Sequence, residues 1–218
     1  MIIGMRVKPK APPVEPGTYL AVCVGVYDLG EQQTEYKKKT HYVNQAMFAF
    51  EIPAKTIEVD GEMKPRQLSR TFAVSTSKKG NLRKFISSWT GISFTDDAFR
   101  DFDTDTLLGS AAMIQVVLND TGEYSNIDSI MKLPEGMPAP TTKTRLMAFD
   151  IDEWDDDVFD ALPEWVQEKI KKSTQYQKRH APETEVDFPA EPKPAVAAPP
   201  VQAVPPTPVY QAEEACPI

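Results

Sequence analysis

Cysteine is almost absent from this chain: Cys23 and Cys216 are the only two in 218 residues. One sits in a strand-like run and the other beside the last residues. They make no metal-ligand spacing and no disulfide framework, so a reducing compartment is the default. Histidine is as scarce. His41 and His180 lie far apart and read as loop and tail residues, which leaves little for a Ser–His or His–metal constellation. There is no G-x-x-x-x-G-K-[ST] phosphate loop, since Lys78-Lys79-Gly80 does not fit it, and no G-x-S-x-G or paired CxxC. Asp101, Asp103 and Asp105 imitate the start of a calcium loop. Thr106 and Ala112 stand where that loop needs Gly and Glu. No run approaches the roughly 20 apolar residues that span a bilayer. The first residues, MIIGMRVKPKAPP, hold no apolar signal core. A non-enzymatic protein of the cytoplasm, without metal or cofactor, is therefore expected.

Positive charge is also in deficit. Lys and Arg number 24 against 32 Asp and Glu, a net charge of -8. Its distribution is uneven. Residues 37–84 hold eleven Lys/Arg against four Asp/Glu, whereas residues 85–128 hold one Arg against eight acids. Residues 181–218 hold one Lys against six acids. A chain with one basic segment can bind a polyanion on one face despite its net charge.

Proline is abundant, and ten of the 20 lie beyond residue 180. The segment from Ala181 to Pro208 is rich in Pro, Ala and Val. Its composition predicts a disordered linker rather than a core. Residues 1–15 read as a flexible basic arm, 16–149 as the folded domain and 150–180 as a helical extension. Residues 181–218 read as the linker with an acidic tip.

Within the domain one stretch organises the rest. In Ser77–Gly91, Leu82, Phe85, Ile86 and Trp89 recur at i, i+3, i+4 and i+7, one face of a helix. Ser77 is a candidate N-cap and Gly91 a C-terminal left-handed residue. Lys78, Lys79, Arg83 and Lys84 take the opposite, solvated face. Three strand-like runs precede the helix. Gly17–Asp28 alternates, with Leu20, Val22, Val24 and Val26 expected in the core. Tyr19, Ala21, Cys23, Gly25 and Tyr27 are expected outside, leaving room for a flat ligand beside the rings. Leu29–His41 reads as a polar loop. Tyr42–Ile52 is the second strand. Asp60-Gly61 marks a turn, and Gln67–Ser75 is the third strand, with Leu68, Phe72 and Val74 inward and Arg70 at the wet end of that row. Thr95 or Asp96 caps a short turn carrying Phe99 and Phe102. Ala111–Leu118 and Tyr124–Leu133 are strands four and five. One helix between strands three and four is the order of a five-stranded OB-fold barrel, a fold that commonly binds single-stranded nucleic acid or oligosaccharides. The fold class expected is therefore mainly β, an OB-fold-like barrel with a C-terminal helical extension. Trp154–Phe159 and Pro163–Gln177 supply the extension. Trp165, Val166, Ile170 and Tyr176 are its candidates for packing on the barrel.

The basic segment carries rings among its cations. Tyr36 precedes Lys37, Lys38 and Lys39; Tyr19 and Tyr27 lie on the first strand and Tyr42 opens the second. Lys64, Arg66 and Arg70 flank or lie in the third. Cations for phosphates and rings for bases are what single-strand binding uses. The duller alternative is a solvated lysine loop with tyrosines packed on the C-terminal helices. The acids Asp150, Asp152, Glu153, Asp155, Asp156 and Asp157 could hold Mg2+ in a nuclease. Acids at a helix start are also favoured by the macrodipole, without any metal.

The last residues bring Glu213 and Glu214, then Ala215 and Cys216, then Pro217 and Ile218. A Pro-rich linker ending in acids, a proline and an apolar residue resembles the C-terminal tip of bacterial and phage single-stranded DNA-binding proteins. There the tip recruits replication and repair partners and competes with DNA for the basic groove. The resemblance covers about nine residues and departs from the family in having Ile218 where Phe is usual. It implies sequence-independent single-stranded DNA binding in phage or bacterial DNA replication or recombination. Tyr19, Tyr27, Tyr36, Lys37, Lys38, Lys39, Tyr42, Lys64, Arg66 and Arg70 are the candidate DNA-binding residues. Glu213, Glu214, Pro217 and Ile218 form the candidate partner-binding tip. The rival reading is a protein-interaction adaptor whose barrel binds protein and whose tail is a tether.

Overall fold

The computed structural model describes residues 11–181 apart from 60 and 76, and for Tyr36 the backbone alone. The acidic tip residues Glu213, Glu214, Pro217 and Ile218 thus lie outside the described residues.

Three long strands form a continuous antiparallel meander: β1 (Gly17–Tyr36), β2 (Lys39–Val59) and β3 (Glu62–Ala73). Helix α1 (Asn81–Thr90), helix α2 (Asp96–Arg100) and a 3-10 turn (Thr104–Leu107) follow. Strand β4 (Ala111–Leu118) then pairs with Gly17–Val22 of β1, and β5 (Ser125–Lys132) pairs with β4. A short β6 (Met147–Phe149) runs parallel to Gly25–Tyr27, beyond the reach of β4. Helices α3 (Asp156–Ala161), α4 (Glu164–Ile170) and α5 (Thr174–Arg179) complete the described chain. The sheet order is β3-β2-β1-β4-β5, and no ladder joins β3 to β5. The expected mainly β architecture is present as an antiparallel sheet that is not closed.

The α1 stripe forms as its spacing demands. Leu82, Phe85, Ile86 and Trp89 are all buried, and Gly91 closes the helix with φ 75°. The N-cap is Gly80 rather than Ser77, because Ser77 is spent in the preceding turn, where its Oγ accepts from Lys79 N–H at 3.3 Å. Phe85 and Trp89 meet Phe48, Phe50 and Phe72 of the sheet with ring centroids 4.6–6.3 Å apart. Arg83 departs from the expected solvated face. It is 7% exposed, donates from Nη1 to Asp96 at 2.7 Å and from Nη2 to the Phe94 carbonyl, and lies 5.4 Å from the centre of the Phe99 ring. Thr95 caps α2 by accepting from Ala98 N–H.

A second core lies on the opposite face. Val24, Tyr27, Leu29, Met47 and Ala49 of the sheet pack against Phe149, Phe159, Leu162, Val166 and Ile170. This overturns the simple alternation expected for β1. A register shift between Cys23 and Gly25 rotates the strand, so Tyr19, Ala21, Cys23 and Val26 turn to the first core while Val24 and Tyr27 turn to the second. The strand is buried on both faces because the C-terminal helices cover one of them. Leu29–His41 is likewise no loop. Its residues pair across a long hairpin whose two-residue turn is Lys37-Lys38, at φ 51° and 62°. Val74, expected inward, is exposed because β3 has ended at Ala73.

Candidate functional site

The strands at the two ends of the sheet path, β3 and β5, approach without pairing. Arg70 crosses the seam: its Nη1 donates to the backbone carbonyl of Asp128. The guanidinium also lies 5.1 Å from the Phe72 ring centre and 5.7 Å from that of Phe85. Two clefts share Arg70 and Asn81. One, of about 310 Å3, runs along Thr71 and Ala73 to Ser75, Lys79 and Gly80. The other, of about 210 Å3, lies between α1 and β5 and takes in Lys84, Ser88, Asp128 and Ser129.

Charge in this region is sorted by Asp96. Its carboxylate takes Arg83 at 2.7 Å and Lys78 at 3.3 Å, and the Arg83 hydrogen bond, with Lys78 after it, holds its carboxyl below the usual range. Arg70, Lys79 and Lys84 have no ion pair among the described residues, and all three line the joined clefts. The start of α1 also opens there. It has no side-chain cap and no acid in its first turn, so its positive end is unneutralised. Three cations in a concave site favour an anion, and the Asp128 carboxylate at one edge works against it.

The ten residues picked from the sequence do not gather on one wall. Lys37 and Lys38 form the β1–β2 turn, with Tyr36 and Lys39 as its closing pair and Tyr42, 55% exposed, three residues on. Lys64 sits near the opposite end of β2, across from Ile57, and pairs with Glu62 at 3.4 Å. Arg66 faces Ile52 and lines a separate cleft with Pro12, Glu15 and Lys55. Tyr19 belongs to that same region: it donates to the Glu15 carbonyl at 2.9 Å, with Lys55 Nζ 5.5 Å from its ring centre. Between the two hairpin ends lie on the order of 60 Å of strand contour. Arg70 falls between them, beside the joined clefts.

Tyr27 needs a correction. It is 3% exposed, and burial first, the Cys23 thiol second, pushes its hydroxyl up to about 12. The flat space beside it is filled by its own ring, which occupies the room a Cβ on Gly25 would need. Cys23 is pushed up to about 12 by burial as well, which removes it as a nucleophile.

Lys79 and Lys84, read from the sequence as a solvated face, are the cations that the fold brings to Arg70. Both are exposed, and only their place on the clefts beside Arg70 distinguishes them from other surface lysines, of which sequence spacing carries no signal. The acids gather elsewhere. Burial, with Asp150 and Asp152 nearby, raises the Asp28 carboxyl; burial, with Asp103, Asp150 and Glu153, raises that of Asp105. Asp155 caps α3, and Asp150 accepts from Asp152 N–H. Among the described residues no group of three or more His, Cys, Asp and Glu is placed to hold a metal ion. No helix among them is long and apolar enough to cross a membrane.

No family model matches this chain, and no curated protein or solved structure matches it.

Proposed function

We propose that this protein binds single-stranded DNA without sequence preference and without catalysis, in phage or bacterial replication or recombination. The observation that carries the reading is that Arg70, Lys79 and Lys84 line the joined clefts beside the seam with no ion pair among the described residues, in a chain of net charge -8. The topology supports it. Four successive antiparallel pairings leave β3 and β5 running the same way, and α1 falls between β3 and β4. We read that order as an OB-fold-like barrel opened between β3 and β5. Phosphates sit in the cationic clefts, and the cytoplasm is the compartment. The tip Glu213, Glu214, Pro217 and Ile218 recruits replication or recombination proteins and competes with DNA for the cations as a tethered anion. Deleting residues 213–218 then tightens DNA binding at low salt and abolishes partner capture.

A salt titration on oligo-dT tests this. Affinity falls steeply as salt rises, with a slope near -0.7 for each phosphate neutralised. Changing Arg70, Lys79 and Lys84 together to Ala lowers that slope by up to about 2. A wild-type protein that retards neither single- nor double-stranded oligonucleotide at any salt is instead the protein-binding adaptor.

A further inference from the structure

A second, uncharged pocket of about 420 Å3 opens on the seam just before the Arg70 bridge. From β3 it takes Gln67 and Ser69, from β5 Asn126, from the residue just before β5 Tyr124, and from α4 Trp165. The pocket precedes Arg70 on β3 and Asp128 on β5, whereas the cationic clefts follow them. Because β3 and β5 run the same way, pocket and clefts form consecutive stretches of one groove. Their centres are separated by roughly 10 Å along β3.

Trp165 behaves unlike the other two tryptophans. Trp89 is buried and donates its indole N–H to the Ala111 carbonyl at 3.2 Å. Trp154 donates to Asp156 at 2.7 Å and packs on Phe149 and Phe159. Trp165 is 38% exposed. Its neighbour Val166 and Ile170 are both fully buried, so α4 is fixed on the sheet and the adjacent indole is held outward. Tyr124, 54% exposed, stands on the β5 side of the same pocket. None of the lining side chains is charged, so phosphate has no partner there. Two rings with side-chain amides and hydroxyls beside them suit a flat heterocycle with donors and acceptors along its edge.

We infer that this pocket is a base-stacking subsite: a nucleobase lies against Trp165, and Gln67, Asn126 and Ser69 meet its edge. The inference rests on the single-strand reading and deepens it. Bases and phosphates are divided between successive parts of one groove, and the C-terminal extension supplies a wall of it.

The experiment compares full-length wild type, Trp165→Ala and Trp165→Phe by fluorescence titration and gel shift. The probes are oligo-dT and an abasic deoxyribose-phosphate oligomer of the same length. Oligo-dT quenches wild-type emission, and Trp165→Phe removes most of that quench while keeping most of the affinity. Trp165→Ala weakens oligo-dT binding roughly 5- to 150-fold, the loss of one stacked base, and leaves the salt slope unchanged. The abasic oligomer binds wild type and Trp165→Ala alike. Unchanged urea midpoints show that the variants are folded. If oligo-dT binds wild type and Trp165→Ala equally, the subsite falls while DNA binding stands. If oligo-dT does not bind wild type at all, both fall together.

Discussion

Arg70 on β3 fastens the open seam to Asp128 on β5 by donating to a backbone carbonyl, while its guanidinium rests over Phe72 and Phe85. The acceptor belongs to the main chain, so the bond can be removed only from the Arg70 side. Arg70→Ala deletes a charged donor and a cation–ring contact, at a cost of about 1–3 kcal/mol. Arg70→Lys keeps the charge without the planar fork and should fall between. Urea unfolding measures the cost, and hydrogen exchange locates it: amides of β5 should lose protection ahead of those of β1. Unchanged midpoint and exchange in Arg70→Ala would show that the seam holds without this bridge.

Gly25 has its role because of Tyr27. A Cβ at position 25 would run into the hydroxyl and ring of a tyrosine that is itself buried. Gly25→Ala is expected to destabilise the fold by about 1–3 kcal/mol through overpacking. Gly25→Ala in a Tyr27→Phe background should recover part of that loss, since the hydroxyl oxygen is the nearest clashing atom. Gly122 gives the contrast. Nothing lies within 4 Å of its missing Cβ, and only its φ of 72° resists a side chain, so Gly122→Ala should cost about 1 kcal/mol. Equal midpoints for Gly25→Ala and wild type would contradict the packing described.

The parts of this fold legible in the sequence are those whose signal is local. The α1 stripe from Leu82 to Trp89, the Gly91 stop, the Thr95 cap and the β4 run Ala111–Leu118 each carry their own periodicity or cap. The hairpin tip was hidden because Lys37-Lys38 lacks the Asn-Gly signature that its backbone calls for. The face of Tyr27 was hidden because a register shift at Cys23/Gly25 inverts the alternation, and bulges leave little trace in a residue pattern. Trp165 read as core because helical spacing cannot tell a ring that packs on a sheet from one that borders a gap beside it. Arg70 was legible as the polar end of an inward row. Its partnership with Lys79 and Lys84 was not, since it depends on two sheet ends meeting across nearly 60 residues of chain.

Two carboxylates should respond to pH in opposite senses. Asp28 is raised by burial and by Asp150 and Asp152, so its ionised form weakens the folded state. Stability lost through it at neutral pH is regained as pH falls through its raised value, and below the unfolded carboxyl value of about 3.9 the effect is gone. Its Oδ1 accepts from Gly30 N–H at 2.8 Å, a bond an amide oxygen can also accept. Asp28→Asn should therefore unfold at higher urea than wild type at pH 7, and at the same urea near pH 3. Asp96 is held low by Arg83 and Lys78, so its contribution is present above the unfolded value and is lost as pH falls through the lower, folded one. Asp96→Asn should be the less stable protein at pH 7, with the gap closing in strong acid. A gap that is constant with pH for either variant would mean that its charge is not what the site feels.

The hairpin tip separates stability from binding. Lys37 and Lys38 both hold left-handed backbone, which costs an L-residue about 1–2 kcal/mol and costs glycine almost nothing. Replacing the pair by Asn-Gly should raise stability by about 1–2 kcal/mol, read from the urea midpoint. The same change removes two cations. Lys38 at the tip lies seven residues from Gln45, which pairs with Ala73 at the end of the cationic cleft, or roughly 20 Å of strand. An oligonucleotide of about 4–6 residues can fill the seam without reaching that far. Its affinity should be the same for wild type and the Asn-Gly variant. A longer oligo-dT that follows the groove to the tip should bind the variant more weakly, with the salt slope reduced by about 1.4. A stabilised variant that binds long and short strands as wild type does would confine the site to the seam and remove Lys37 and Lys38 from it.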